Sequence, residues 1–67
     1  MIDVNKVKGR IKELGLTQAN VADEVGMDIS TFNRKINDAD GRYMTTGDAK
    51  LLATVLRIEN PIPYFFC

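Results

Sequence analysis

The most informative stretch of the sequence spans residues 16–37 and reads LTQANVADEVGMDISTFNRKIN. It contains two short helical patterns that are separated by Gly26. Ala22 lies within the first pattern, where a crossing helix needs a small residue for close approach. Gly26 follows where the chain must turn sharply, which favours a positive φ. This arrangement predicts a helix-turn-helix over about residues 17–37.

Each half of this unit begins with a residue type that caps helices well. Thr17 precedes a predicted helix over about 17–25, and Asp28 precedes a predicted helix over about 28–37. The second helix repeats apolar residues at spacings of three and four, which places them on one face. These residues are Ile29, Phe32 and Ile36. The remaining faces of this helix are polar.

Helical signals also flank this unit on both sides. Upstream, an apolar repeat between Asp3 and Gly15 predicts a helix over about 3–14. Downstream, Thr45 and the Asp three residues later approximate a capping box for a helix over about 46–58. We therefore expect helices before and after the central pair.

The C-terminal segment adds one short element. Asn60 and Pro61 can start a fifth helical turn, with Asn as the cap and Pro in the first position. The residues after them are apolar and aromatic, and no segment of the chain carries a strand signal. The expected fold class is therefore all-α, a bundle of four to five helices in a single domain over residues 1–67.

Composition excludes several classes of protein. The chain has 67 residues, no His and one Cys, Cys67. It therefore has no His-based metal site or catalytic triad and no internal disulfide, which fits a reducing cytoplasm. No apolar run approaches the roughly 20 residues of a membrane span. We expect a cytoplasmic protein that is not an enzyme and takes no metal, cofactor or small-molecule ligand.

The charges balance overall but not locally. Nine Lys/Arg oppose nine Asp/Glu, which alone does not favour nucleic-acid binding. Residues 1–15 hold four basic and two acidic side chains, and residues 29–37 hold two basic and no acidic ones. Residues 16–28 hold three acidic side chains and no basic one. The two positive segments could share one face of the fold.

The central stretch resembles the Cro/CI-type (XRE-family) helix-turn-helix DNA-binding regulators. The family pattern has Leu-Thr-Gln, an apolar-Ala pair, a Gly, and Ser-Thr-apolar-x-Arg. This chain matches it with LTQ at 16–18, VA at 21–22, Gly26 and STFNR at 30–34. The stretch 32–37, with Thr45 and the aromatic pair 65–66, is similar to small prophage repressor-like proteins.

The resemblance implies a bundle of the lambda-repressor-like DNA-binding type that acts as a transcription regulator. Its third helix would enter the major groove of a pseudo-palindromic operator, read by a homodimer. The positions that meet base edges correspond to Ile29, Ser30 and Arg34, with Asn33 beside them. Arg can bond both acceptors of guanine, Asn prefers adenine, Ser bonds several bases, and Ile can touch a thymine methyl.

The resemblance also implies contacts to the DNA backbone. Gln18 corresponds to the position that starts the second helix near a phosphate, where free N–H groups and the helix dipole favour an anion. The further phosphate-contacting candidates are Thr31, Lys35, Asn37 and Arg42.

Three features depart from the family pattern. Lys35 stands where the wider family has an apolar core residue, although the small prophage group often has Lys there. Asp38 and Asp40 fill a turn that often carries basic residues, and Asp28 adds a negative charge at one end of the third helix. Fewer basic contacts predict weaker non-specific affinity and a shallower dependence on salt.

Several alternatives stay open on the sequence alone. Ile29 either joins the core or contacts a base, and Met44 is expected to pack into the core. The aromatic residues Tyr64, Phe65 and Phe66 either fold back on the core or form a dimer contact. The alternative function is a protein-interaction module, similar to an antirepressor or an antitoxin, on a helix-turn-helix scaffold.

Overall fold

The computed structural model describes residues 2–38 and 42–66, and these residues form five α-helices and no strand. The helices are α1 (Val4–Glu13), α2 (Gln18–Glu24), α3 (Ile29–Asn37), α4 (Thr46–Val55) and α5 (Ile62–Phe65). The expected all-α class and the number of helices are confirmed. No helix of the described residues is long and apolar enough to cross a bilayer.

All five helices contribute to one apolar core. Its largest fully buried side chains are Phe32, Ile36, Leu52, Leu56, Val7 and Val21. The C-terminal aromatic segment folds back on this core, because Phe65 is buried and Tyr64 packs against the core residues. Phe66 remains exposed. Met44 packs against the core, as expected, whereas Cys67 lies outside the described residues.

The first four helices begin where the sequence predicts. In each, the capping side chain accepts a hydrogen bond from the backbone N–H three residues further on, at 2.7–3.1 Å. The capping residues are Asp3, Thr17, Asp28 and Thr45. Thr45 and Asp48 form the complete capping box that the sequence suggested. Asn60 accepts from Ile62 N, but Pro61 precedes α5 and is not its first residue.

The end of α4 was predicted wrongly. The helix stops at Val55, three residues before the expected end, because Arg57 takes a left-handed conformation with φ of 54°. Two hydrogen bonds close the turn there, from Arg57 N to Thr54 O and from Ile58 N to Ala53 O. The same pair of bonds ends α1 at Gly15 and α2 at Gly26, which both have positive φ. This is the Schellman arrangement, in which glycine is the usual left-handed residue.

Replacing Arg57 with glycine should raise the free energy of unfolding by about 0.5–1 kcal/mol. Glycine removes the strain of a left-handed Cβ but keeps both backbone hydrogen bonds. Gly26→Ala is the matched control and should lower stability by about 1 kcal/mol. Open space surrounds a Cβ at Gly26, so only backbone strain acts there. Urea denaturation measures both changes, and a destabilised Arg57→Gly protein would contradict this reading of the turn.

Candidate nucleic-acid interface on α3

A tight turn between α2 and α3 sets the direction of α3. Gly26, with φ of 74°, reverses the chain, and Met27 N donates to Ala22 O at 2.9 Å. Ala22 is buried, as expected for a residue at a close helix crossing. Asp28 then caps α3 by accepting from Thr31 N at 2.7 Å. Both ends of the turn are therefore fixed by local hydrogen bonds.

The faces of α3 are clearly divided. Phe32 and Ile36 are fully buried and define the inner face. Because successive helical residues turn by about 100°, Arg34 lies opposite these two residues and Ser30 lies next to Arg34. Both are exposed. The outward face of α3 thus carries a guanidinium and a hydroxyl group.

The four residues predicted to contact bases lie on one connected surface of α3. Ser30 and Arg34 are at its centre, whereas Ile29 and Asn33 lie along one edge. Ile29 is 42% exposed, and so it does not join the buried core despite its place in the apolar repeat. Asn33 is half-buried, and its backbone carbonyl accepts a hydrogen bond from Asn37 Nδ2 at 2.9 Å.

Lys35 is engaged within the protein. Its Nζ lies 2.6 Å from Asp48 Oδ2, and the two side chains are only 21% and 15% exposed. Asp48 also accepts from the backbone N–H of Thr45 as part of the capping box of α4. This bridge joins α3 to the start of α4 and explains how a lysine occupies a half-buried position. A phosphate at Lys35 would have to compete with Asp48.

Asp48 has a lowered pKa. Burial raises the pKa of this carboxyl group, but the hydrogen bonds from Lys35 and Thr45 and the positive charge of Lys35 outweigh burial. A pKa that is lower in the folded than in the unfolded state adds stability above the unfolded value. That stability is lost as the pH falls through the folded pKa.

We therefore expect the free energy of unfolding to fall as the pH drops from about 5 to about 2. Asp48→Asn should be less stable near neutral pH and should show a shallower fall. Urea denaturation across this range measures both effects. Asp28→Asn is the control for stability near neutral pH. It removes another carboxyl group whose pKa is lowered, by its hydrogen bonds to Thr31, and so it should also make the fall shallower. Because Asn caps helices as well as Asp does, it should cost little stability near neutral pH. An unchanged pH dependence in Asp48→Asn would contradict the assigned bridge.

The other predicted phosphate contacts belong to α3, to the start of α2 and to the segment after α3. Thr31 and Asn37 are exposed residues of α3, and Gln18 is the half-buried first residue of α2. Arg42 follows α3, and its backbone N–H donates to Asp38 Oδ2 at 3.1 Å. Its Nε lies 3.7 Å from the same oxygen atom. Asp40, one of the acidic departures from the family pattern, lies outside the described residues.

Arg34 packs against an aromatic ring that the sequence analysis did not assign to the site. Its Cζ lies 5.3 Å from the ring centroid of Tyr43, which is 50% exposed. This is cation–π geometry. Within residues 2–38 and 42–66, Arg34 forms no ion pair. The arginine at the centre of the outward face is therefore not neutralised by a described acid.

A second arginine has a structural role that the sequence did not reveal. Arg10 of α1 donates from Nε to Leu56 O at 2.9 Å and from Nη2 to Arg57 O at 3.1 Å. These carbonyls follow α4, where a cation is favoured by the helix dipole. Lys6 lies over the ring of Tyr64 at 5.2 Å. Only Lys8 and Lys12 of the basic side chains of α1 remain without such a contact among the described residues.

The candidate site is a surface and not a cavity. No pocket opens among the residues that the structure describes, and no three His, Cys, Asp or Glu side chains there are grouped to hold a metal ion. Comparisons with protein-family models, with curated protein sequences and with solved structures give no significant match to this chain.

Proposed function

We propose that the chain is a sequence-specific DNA-binding transcription regulator of the Cro/CI type, with a lambda-repressor-like fold and α3 as the recognition helix. The observation that carries the proposal is the outward face of α3. It presents Ser30 and Arg34 side by side, opposite the buried Phe32 and Ile36. Both polar side chains suit the donors and acceptors of base edges.

The dimensions of α3 support a major-groove position. An α-helix with its side chains is about 10–12 Å in diameter, which fits a major groove about 12 Å wide, and the nine residues of α3 make it about 14 Å long. The tight turn at Gly26 and the Asp28 cap hold α3 in one orientation relative to α2. In this proposal, base contacts come from Ile29, Ser30, Asn33 and Arg34. Contacts to the phosphates of the DNA backbone come from Gln18, Thr31, Lys35, Asn37 and Arg42.

We propose a homodimer on a pseudo-palindromic operator, in the cytoplasm and associated with the nucleoid. A dimer with two-fold symmetry places its two recognition helices one turn of DNA apart. The half-sites should therefore be about 10–10.5 base pairs apart, centre to centre. A dimer bound to promoter DNA would block the initiation of transcription and so act as a repressor. The exposed apolar side chains Leu51, Ile62 and Phe66 offer area that a second copy could cover. No catalytic role is part of this proposal.

One observation favours the alternative, a protein-interaction module. Two of the predicted phosphate contacts, Lys35 and Arg42, already lie within 4 Å of an acid, Asp48 or Asp38. Asp23 and Glu24 at the end of α2 and Asp28 at the start of α3 add negative charge around the turn that joins these helices. These acids weaken the attraction of the surface for DNA and would suit a basic protein partner.

The dependence of DNA affinity on salt separates the two functions. For a DNA-binding regulator, the logarithm of the association constant for duplex DNA falls linearly with the logarithm of salt concentration. The slope is about −0.9 for each neutralised phosphate. We expect a measurable but shallow slope, because Lys35 and Arg42 are paired with acids. Binding that is near zero and flat in salt, from folded protein, would favour the partner-binding function.

A further inference from the structure

We infer that Tyr43 is a positioning residue that orients the guanidinium of Arg34 for base recognition. This inference rests on the proposed function, since it assigns a determinant of specificity to the same site. Tyr43 lies between α3 and α4, outside the recognition helix. Its ring centroid is 5.3 Å from Arg34 Cζ.

An arginine without such a partner would be poorly suited to reading a base. Its side chain has many rotamers, and ordering it on binding opposes affinity. Bidentate recognition of guanine also requires the planar guanidinium to lie in one plane with the base edge. A ring that packs on the guanidinium restricts both the rotamer and the plane before DNA arrives.

Among the described residues, Tyr43 is the group that can orient the guanidinium of Arg34 without neutralising it. No acid among the described residues pairs with Arg34, whereas Lys35 and Arg42 are each held near a carboxylate. A carboxylate would neutralise the charge that recognition needs, but a ring leaves the charge and all five N–H donors in place. Half of the Tyr43 surface is exposed, so its ring is not required to fill the core.

The test compares Tyr43→Leu with Tyr43→Phe on the preferred duplex and on the same duplex altered at the base pair that Arg34 reads. Leucine removes the aromatic ring, and discrimination between the two duplexes should fall about two- to fivefold, as expected for an exposed cation–π contact. Phenylalanine keeps the ring, so Tyr43→Phe should retain the discrimination of the wild type. Thermal melting of each variant checks that the fold is intact.

Two further measurements make the test specific to Arg34. In an Arg34→Ala background, Tyr43→Leu should cause no further loss of discrimination. In the DNA-free protein, the side-chain proton resonances of Arg34 should carry a ring-current shift in the wild type and in Tyr43→Phe, but not in Tyr43→Leu.

The outcomes distinguish this inference from the proposed function. A loss with Tyr43→Leu that persists without Arg34 would overturn the inference, because Tyr43 would then act on DNA by itself. An equal loss with Tyr43→Phe would assign the effect to the hydroxyl group and would also overturn it. Unchanged discrimination in Tyr43→Leu overturns the inference alone. A wild-type protein that prefers no DNA sequence overturns both.

Discussion

Phe32→Ala should leave the protein largely unfolded at physiological temperature. Phe32 is fully buried near the middle of α3 and belongs to the core to which all five helices contribute. Replacing a buried Phe with Ala costs about 3–5 kcal/mol, since it removes apolar contacts and leaves a cavity. A core in a chain of this size rarely supplies more than about 3–5 kcal/mol of net stability. The loss therefore matches the whole stability of the fold.

Ile29→Ala is the matched control on the same helix and the same apolar repeat. Ile29 is 42% exposed, so its truncation should lower the free energy of unfolding by less than about 1 kcal/mol. Far-ultraviolet circular dichroism during urea denaturation compares the two variants. Equal destabilisation by both would show that Ile29 belongs to the core and would contradict the described orientation of α3.

Arg34→Ala should weaken binding to the preferred operator by about 1–3 kcal/mol, which is about 5- to 150-fold. The same change should relax the preference at one base pair in each half-site. Arg34 is exposed, so the fold should tolerate its loss, and melting curves verify this. The affinities are measured by fluorescence anisotropy on the preferred duplex and on duplexes altered at single positions.

Two controls separate base reading from general attraction to DNA. Arg34→Lys keeps the charge but loses the planar fork, so it should retain most non-specific affinity and lose preference for guanine. Lys12→Ala removes one exposed positive charge of α1 and should leave the base preference unchanged. Unaltered operator affinity and preference in Arg34→Ala would remove Arg34 from base reading.

Local signals in the sequence are sufficient to predict where most of the helices begin and end. Caps act within four residues of the helix that they start, and so Asp3, Thr17, Asp28 and Thr45 could be assigned without tertiary information. The positive φ of Gly26 follows from the same local reasoning. The turn at Arg57 gave no such signal, because an arginine stands where glycine is usual. The sequence therefore predicts an end of α4 that is three residues too late.

The side-chain pairs of the site could not be predicted in the same way. Lys35 with Asp48 and Arg34 with Tyr43 join α3 to residues beyond the following turn. The path of the chain between α3 and α4 decides whether these groups meet, and no local pattern encodes that path. Ile29 shows a related limit, because periodicity places it on the apolar side but does not show where the core ends.

The most direct test of α3 as a recognition helix is selection of binding sites from randomised duplex DNA at moderate salt, followed by sequencing. The proposed function predicts an enriched inverted repeat whose half-sites are about 10–10.5 base pairs apart, with a guanine position that disappears when Arg34→Ala protein is used. Enrichment of a single half-site would retain the DNA-binding role for a monomer and contradict the dimer. No enrichment from protein shown to be folded would contradict the proposed function and favour a protein partner.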